Sequence, residues 1–108
     1  MGGLNIYELT LTSKHEKEIV VKRGGKPEKK KKQCIYIQAR QHAAETHGSI
    51  VMAAIIKELT SKPKEFEAML EDNVVKIVPM INPDGVIIGN ARSSISGVDL
   101  NRWWSNPS

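Results

Sequence analysis

Two apolar runs with a helix pattern between them constrain the fold of this chain most strongly. Residues 34–39, with Ile35, Tyr36 and Ile37, and residues 74–80 are each predominantly apolar, which is typical of strands buried in a parallel sheet. Between them, residues 50–59 predict a helix that is apolar on nearly every side and therefore buried. The order strand, helix, strand favours a right-handed crossover within an α/β sheet. In this scheme residues 34–39 form a central strand.

The flanking segments extend this sheet. Residues 6–13 alternate apolar and polar side chains, which predicts a strand with one wet face, and residues 18–22 predict its hairpin partner. Residues 64–72 predict a second short helix, which places Phe66, Met69 and Leu70 at helical spacing. Asn82-Pro-Asp-Gly, residues 82–85, predicts a turn after the last strand.

Length and charge limit the classes of protein that the chain can represent. The 108 residues allow one small domain. Of the basic residues, seven lie in the segment that runs from Lys22 to Lys32, and its net charge of +6 leaves −2 for the rest of the chain. This pattern predicts a flexible, solvated basic loop on a mildly acidic body. No aromatic residues interleave the loop for base stacking, so we expect no nucleic-acid partner.

The same reading predicts a cytoplasmic protein with no membrane partner. The single cysteine, Cys34, cannot form an internal disulfide, and we expect a small buried hydrophobe there, as in a reducing cytosol. The N-terminus lacks a secretory signal pattern. The longest apolar run, residues 50–56, is too short to span a bilayer.

His42 and Glu45 are the residues most informative about chemistry. An imidazole and a carboxylate three positions apart can bind one metal ion, because both are zinc ligands. The spacing alone is common, however. A histidine at a strand end, with a glutamate that the helix dipole favours in the first turn, is the commoner explanation of such a spacing.

A second block of residues points the same way. Residues 79–85, Pro-Met-Ile-Asn-Pro-Asp-Gly, are followed by Arg92 and then by residues 97–102, Gly-Val-Asp-Leu-Asn-Arg. This block supplies fixed cations and an amide, which suit an anionic substrate. The alternative for each member is an ordinary surface turn with a solvated or salt-bridged arginine.

In order and spacing, the two blocks resemble the M14 family of zinc carboxypeptidases. The phrases in residues 76–85, Gly89-Asn90 and residues 99–102 are similar to the cytosolic carboxypeptidases, which trim glutamates from tubulin and other acidic tails. The resemblance runs from about Ile35 to the end of the chain. It implies the N-terminal part of a carboxypeptidase-like mixed sheet flanked by helices.

The resemblance also implies a role for each matching residue. His42 and Glu45 would be two of the three protein ligands of one zinc ion. Arg92 would stabilise the oxyanion, while Asn101 and Arg102 would bind the terminal carboxylate of the substrate. Asp99 is left out of the predicted site, because an orienting carboxylate and an ordinary turn aspartate are equally good interpretations.

The sequence departs from the family pattern in two ways. Ala43 and Ala44 stand where family members usually have Pro-Gly, which changes the backbone freedom of the turn between the predicted ligands. The family takes its third zinc ligand, a histidine, and its general base, a glutamate, from sequence beyond the Asn-Arg pair, and this sequence ends six residues after Arg102. The family's preceding β-sandwich domain has no counterpart either. We therefore expect residues 1–108 to be a partial catalytic domain that lacks its C-terminal half.

The sequence thus predicts a zinc metallocarboxypeptidase that removes C-terminal residues from peptide or protein tails, with glutamate-rich tubulin as the implied substrate. Alone, the chain is expected to be inactive. The alternative is a non-catalytic module or degenerate pseudoenzyme that holds acidic tails through the Lys22 to Lys32 segment, Arg92 and Arg102.

Overall fold

The computed structural model of the chain describes residues 3–14, 18–19, 28–29 and 31–104. Its strands are β1 (Leu9–Leu11), β2 (Glu18–Ile19), β3 (Glu28–Lys29), β4 (Gln33–Gln38) and β5 (Asn73–Val78). Its helices are α1 (Thr46–Ser61), α2 (Pro63–Asp72), α3 (Pro83–Ile87) and a 3-10 turn at Leu100–Arg102. The predicted mixed α/β class is confirmed. None of the helices in the described ranges is long and apolar enough to cross a bilayer.

A three-stranded sheet in the order β1-β5-β4 organises these elements. Strands β4 and β5 are parallel, with Cys34 opposite Val74 and Gln38 opposite Val78. Because α1 and α2 connect them, the predicted strand, helix, strand unit is confirmed. The predicted position of β4 is wrong, since among the described residues β4 forms an edge of the sheet and β5 is central. Strand β5 pairs on both sides and contains the buried residues Val75 and Ile77, which explains its position.

The predicted hairpin between the first two strands is also wrong. Strand β1 pairs antiparallel with β5, and β2 pairs with β3 in a separate two-stranded sheet. Pairing with β5 aligns Leu9 with Ile77 and Leu11 with Val75, so the apolar face of β1 joins the core. The predicted basic loop therefore contains a short strand, β3. Of that loop, residues 22–27 and 30 lie outside the described part of the chain.

Lys32, the last lysine of the predicted solvated loop, has a structural role. Its half-buried ammonium group donates hydrogen bonds to Thr12 Oγ1 at 2.9 Å, to the Ser13 carbonyl at 2.6 Å and to the Leu70 carbonyl at 3.1 Å. These bonds connect the ends of β1 and α2. Lys32 is therefore not a free solvated charge.

The core lies between the sheet and the two long helices. It is formed by Met52 of α1, Leu70 of α2, and Val75 and Ile77 of β5. Val75 and Ile77 share one face of β5 because side chains alternate along a strand. Half-buried apolar side chains surround this cluster: Leu9, Leu11, Ile37, Ala39, Ile55, Ile56, Leu59, Phe66 and Met69. The apolar face predicted for α2 is confirmed.

Two predictions of burial are wrong. Helix α1 begins at Thr46, four residues earlier than predicted, and only Met52 is buried along it; Ile50 is 72% exposed and Val51 is 59% exposed. Cys34, predicted to be buried, is exposed on β4. An apolar pattern shows that a side chain favours burial but not whether another element covers it.

The predicted turn at residues 82–85 is the start of helix α3. The Asn82 side chain caps this helix by accepting a hydrogen bond from the Gly85 N–H at 3.0 Å, and Pro83 occupies its first turn. A second cap follows downstream, where the Asn101 N–H donates to Asp99 Oδ1 at 2.9 Å at the 3-10 turn. Both caps lie in the segments that follow β5, close to the end of β4.

Candidate active site

The candidate site lies at the carboxyl ends of β4 and β5, where α/β folds usually place their chemistry. The segments that follow β4 and β5 remain paired beyond the strands: the Ile81 N–H donates to the Ala39 carbonyl at 3.0 Å, and the Asn82 N–H donates to the Arg40 carbonyl at 3.1 Å. This pairing holds the turn that contains His42 next to the start of α3.

His42 is the buried centre of the site, with 7% of its surface exposed. Its Nδ1 lies 2.9 Å from Glu45 Oε1, and its Nε2 lies 3.0 Å from Asp99 Oδ1. The two residues predicted to bind metal are thus in direct contact. Asp99, which the sequence interpretation left out, contacts the opposite side of the same ring. No spacing rule relates it to His42, from which it is separated by 57 positions.

The His42 ring faces two carboxylate acceptors, which is one more than a neutral imidazole can donate to. A neutral ring has a single N–H, so it can donate to only one of the two oxygens. Accordingly, the hydrogen bonds to Glu45 and then Asp99 raise the pKa of His42 above its ordinary value, although burial and Arg92 oppose this shift. Either a proton or a metal cation between Nδ1 and Glu45 would satisfy both contacts.

The partner carboxyl groups shift in the opposite direction. The hydrogen bond with His42 is the largest cause that lowers the pKa of Glu45. The same bond is the largest cause that lowers the pKa of Asp99, and the Asn101 N–H and Arg92 add to it. Both groups are therefore held as anions, the form in which a carboxylate binds metal.

Arg92 lies beside this pair. Its Nε donates to Asp99 Oδ2 at 3.3 Å, and its Nη2 is 3.4 Å from His42 Nε2. The backbone keeps it there, since the Ala44 N–H donates to the Ala91 carbonyl at 3.0 Å. The structure thus brings the predicted oxyanion residue next to the predicted metal residues.

The predicted carboxylate-binding pair, Asn101 and Arg102, begins two positions after Asp99. The Asn101 N–H is fixed by Asp99 Oδ1, and Arg102 Nη1 donates to the Asn101 carbonyl at 3.4 Å. Both side chains belong to exposed residues. An exposed guanidinium remains accessible to an anion.

Gln41 connects the turn that contains His42 to the segment that contains Asn101, and the sequence interpretation missed this contact. With its amide oriented so that the oxygen faces the donors, it accepts from Trp104 Nε1 at 3.1 Å and from the Asn101 N–H at 3.2 Å. The residue before His42 is therefore tied to the segment that contains the carboxylate-binding pair.

Asn82 is the second connection, and the sequence indicated only a turn there. This residue is 3% exposed, and its Nδ2 donates to the Gln41 carbonyl at 3.3 Å and to the Ser93 carbonyl at 3.1 Å. These carbonyls adjoin His42 and Arg92. A Cβ on Gly85 would lie 2.5 Å from Asn82 Nδ2 and 2.6 Å from the Ser93 oxygen, so glycine is needed for this contact.

The donor set suits two ligands of a metal ion. With Nε2 of His42 held by Asp99, Nδ1 and Glu45 Oε1 face each other as an imidazole and a carboxylate, which are both zinc ligands. Within the described ranges, no group of three or more histidine, cysteine, aspartate or glutamate side chains is arranged to hold a metal.

The sequence of the chain matches a known family along almost its whole length. The family model for zinc carboxypeptidases matches residues 1–107. Cytosolic carboxypeptidase 1 of Gallus gallus is 48% identical over 73 residues, which cover 68% of this chain and 6% of that protein. Cytosolic carboxypeptidase 2 of Danio rerio is 35% identical over 102 residues, which cover 94% of this chain and 13% of that protein.

Solved carboxypeptidase structures show the same fold. A putative carboxypeptidase A from Shewanella denitrificans matches 98% of this chain and 25% of its own, with a TM-score of 0.76 and 27% identity. A metallo-carboxypeptidase from Pseudomonas aeruginosa, solved with (2-guanidinoethylmercapto)succinic acid, has a TM-score of 0.75 and 30% identity over the same shares. The chain therefore spans about a quarter of these structures, and a smaller share of the curated relatives.

Proposed function

Since this chain belongs to the zinc carboxypeptidase family, we propose that it provides the metal-binding turn and the substrate-carboxylate site of a metallocarboxypeptidase. The observation that carries the proposal is the placement of His42 between Glu45 and Asp99. A purely structural histidine needs one acceptor for its single N–H. Two anions on one ring favour an added cation.

Zinc is the cation that fits the family and the donor set. His42 Nδ1 and Glu45 would hold it, and Asp99 would fix the ring through Nε2. When bound, zinc acts as a Lewis acid that polarises the scissile carbonyl and lowers the pKa of water. The third protein ligand and the general base would come from outside these 108 residues.

The arginines and Asn101 would act on the substrate. Arg92, a permanent cation near His42, would stabilise the negative charge that develops on the carbonyl oxygen. Asn101 and Arg102 would hold the terminal carboxylate, the guanidinium through paired hydrogen bonds. A site that binds this carboxylate restricts cleavage to C-terminal residues.

The relatives suggest the class of substrate. Several are cytosolic carboxypeptidases, and we propose a cytoplasmic protein that acts on C-terminal tails, glutamate-rich tubulin among them. The basic segment from Lys22 to Lys32, with its net charge of +6, would favour acidic tails through long-range attraction. Because the chain spans about a quarter of the solved carboxypeptidase structures that it matches, we propose that the 108 residues are a partial domain and are inactive alone.

Peptide binding by the 108-residue chain tests the carboxylate site without requiring turnover. A peptide that ends in a free glutamate should bind, and the same peptide with an amidated C-terminus should bind at least about tenfold more weakly, a loss of about 1.4 kcal/mol. Arg102→Ala should remove this preference. Equal binding of both peptides would contradict the proposal.

The same experiment separates the proposal from a module that only holds acidic tails. Such a module predicts binding that depends steeply on salt, ignores the C-terminal amide, and survives both chelation and His42→Ala. Hydrolysis of the free peptide by this chain, sensitive to chelator, would show that the site is complete and our account of a partial domain wrong.

A further inference from the structure

Arg40 has an unusual backbone conformation immediately before the metal-binding turn. Its φ is +57°, and it is the one residue other than glycine with a positive φ in the described part of the chain. Side chains with a Cβ rarely adopt this conformation, and where they do the surroundings must hold it in place. The position therefore needs an explanation.

The side chain of Arg40 contacts the turn that contains His42. Its Nε and Nη2 both donate to the Ala43 carbonyl, at 3.0 Å and 2.6 Å. Its Nη1 donates to Ser49 Oγ at 3.1 Å in the first turns of α1. Three donors of one planar group thus join the turn to the helix that follows it.

The backbone hydrogen bonds within the turn, from the Glu45 N–H to the His42 carbonyl and from the Thr46 N–H to the Ala44 carbonyl, do not involve the Ala43 carbonyl. Ala43 and Ala44 separate His42 from Glu45, and neither restricts the backbone as proline does. The Glu45 N–H reaches the His42 carbonyl at 3.3 Å, a long hydrogen bond. The Ala43 carbonyl, which lies at the middle of the turn, is fixed from outside by Arg40.

We propose that Arg40 is a positioning residue, which holds the Ala43 carbonyl and so keeps His42 and Glu45 in the geometry of a ligand pair. This inference rests on the proposed function, because a metal site is what requires His42 and Glu45 in this geometry. The hydrogen bonds from Arg40 to the Ala43 carbonyl, which we call the clamp, form without zinc. The guanidinium of Arg40 thus restricts the turn where Ala43 and Ala44 do not.

The order of the turn in the metal-free chain provides the first test. We expect ¹⁵N relaxation to give order parameters of about 0.85 at Ala44 and Glu45 in the parent, and below about 0.6 in Arg40→Gly. Glycine tolerates a positive φ, so this variant removes the guanidinium without adding backbone strain. Arg40→Lys retains the charge but not the fork, and should also loosen the turn.

Two further variants isolate the contact. Ser49→Ala removes one hydrogen bond and leaves both bonds to Ala43, so it should change the order parameters little. Ala43→Pro combined with Ala44→Gly should restore order at Glu45 in the Arg40→Gly chain. Unchanged order in Arg40→Gly, or global unfolding of both Arg40 variants, would overturn the assignment.

Zinc titration of the same variants distinguishes this inference from the proposed function. Arg40→Gly should weaken zinc affinity by about 10- to 100-fold, the effect typical of partners that orient a ligand, and Ser49→Ala should not. Loss of order without zinc binding in any variant would support the clamp and contradict the zinc proposal. Equal zinc affinity and equal order in the parent and Arg40→Gly would overturn the clamp alone.

Discussion

At the scale of single residues, the carboxylates beside His42 control its proton equilibrium. The pKa of His42 is raised above 6.5, so the protonated ring stabilises the metal-free fold. This contribution is fully present below about pH 6.5, the ordinary value, and is lost as pH rises through the raised pKa. The lowered pKa values of Glu45 and Asp99 contribute stability above about pH 4, which is lost as pH falls through them.

We predict that Glu45→Gln lowers the pKa of His42 more than Asp99→Asn does, because the bond to Glu45 is the larger cause of the shift. The measurement is an NMR titration of the His42 ring in the metal-free chain. An unchanged pKa in Glu45→Gln would show that the contact at 2.9 Å does not form in solution.

Zinc affinity should depend on pH for the same reason. Zinc binds the deprotonated imidazole, so affinity should decrease as pH falls below the raised pKa of His42. Calorimetric titrations between about pH 5.5 and 8 cover the range in which an imidazole changes charge. Affinity that does not change across this range would contradict a site built on His42.

Asn82 provides a test of stability at the same scale. Asn82→Ala leaves the Gln41 and Ser93 carbonyls without this donor and removes the cap of α3, so we expect a loss of about 1–3 kcal/mol in the free energy of unfolding. Asn90→Ala is the matched control, because Asn90 is less buried and caps no helix. Urea denaturation should show a smaller loss for it.

Single residues also show where sequence reasoning succeeds. The predicted ligands His42 and Glu45 are in contact, because three positions in one turn keep the two side chains near each other. The contact between His42 and Asp99 depends on how two distant loops pack, which no local pattern contains. The same holds for Gln41 and Asn82, whose partners lie on other segments.

At the scale of elements, the glycines of two helices should respond in opposite ways to alanine. In Gly48→Ala the new Cβ would be 3.5 Å from Ala39 Cβ, an ordinary contact, so the helix preference of alanine should stabilise α1 by up to about 1 kcal/mol. Gly85→Ala places a Cβ against Asn82 and should destabilise the chain. Thermal denaturation of both variants measures the contrast; a stabilising Gly85→Ala would refute the close packing described for α3.

Pairing between elements was only partly predictable. Helix α2 follows from its periodicity, and the parallel pair β4 and β5 follows from the helical crossover that connects the two strands. The partner of β1 could not be read locally, because pairing with β5 spans about 65 positions and is selected by the core that Leu9 and Leu11 complete. The exposed face of α1 was unpredictable for a related reason, because an apolar pattern does not show whether another element covers it.

At the scale of the whole molecule, apolar side chains remain on the surface of α1 and β4. Ile50 and Val51 are exposed on α1, and Ile35 and Tyr36 on the edge strand β4. An exposed strand edge beside apolar surface favours association. We predict concentration-dependent self-association of the purified chain.

Light scattering after gel filtration can test this prediction with a matched pair of variants. Ile50→Lys with Val51→Lys should reduce association without unfolding, because both side chains are exposed. Ile87→Lys, which changes an equally exposed isoleucine on α3, should have less effect. Association that Ile87→Lys reduces as much as the double variant would mean that the surface of α1 is not responsible.

The central claim is that the turn from His42 to Glu45 binds zinc, and zinc titration of the metal-free chain at pH 7.5 tests it most directly. Because only two of the three protein ligands are proposed to lie in this chain, we predict weak binding of one zinc ion per chain. His42→Ala should lower this affinity by more than about 100-fold, since removing a ligand should exceed the effect of removing its supporting partner. His47→Ala, which changes an exposed histidine two positions after Glu45, should bind like the parent. Equal zinc affinity in His42→Ala and the parent would contradict the account.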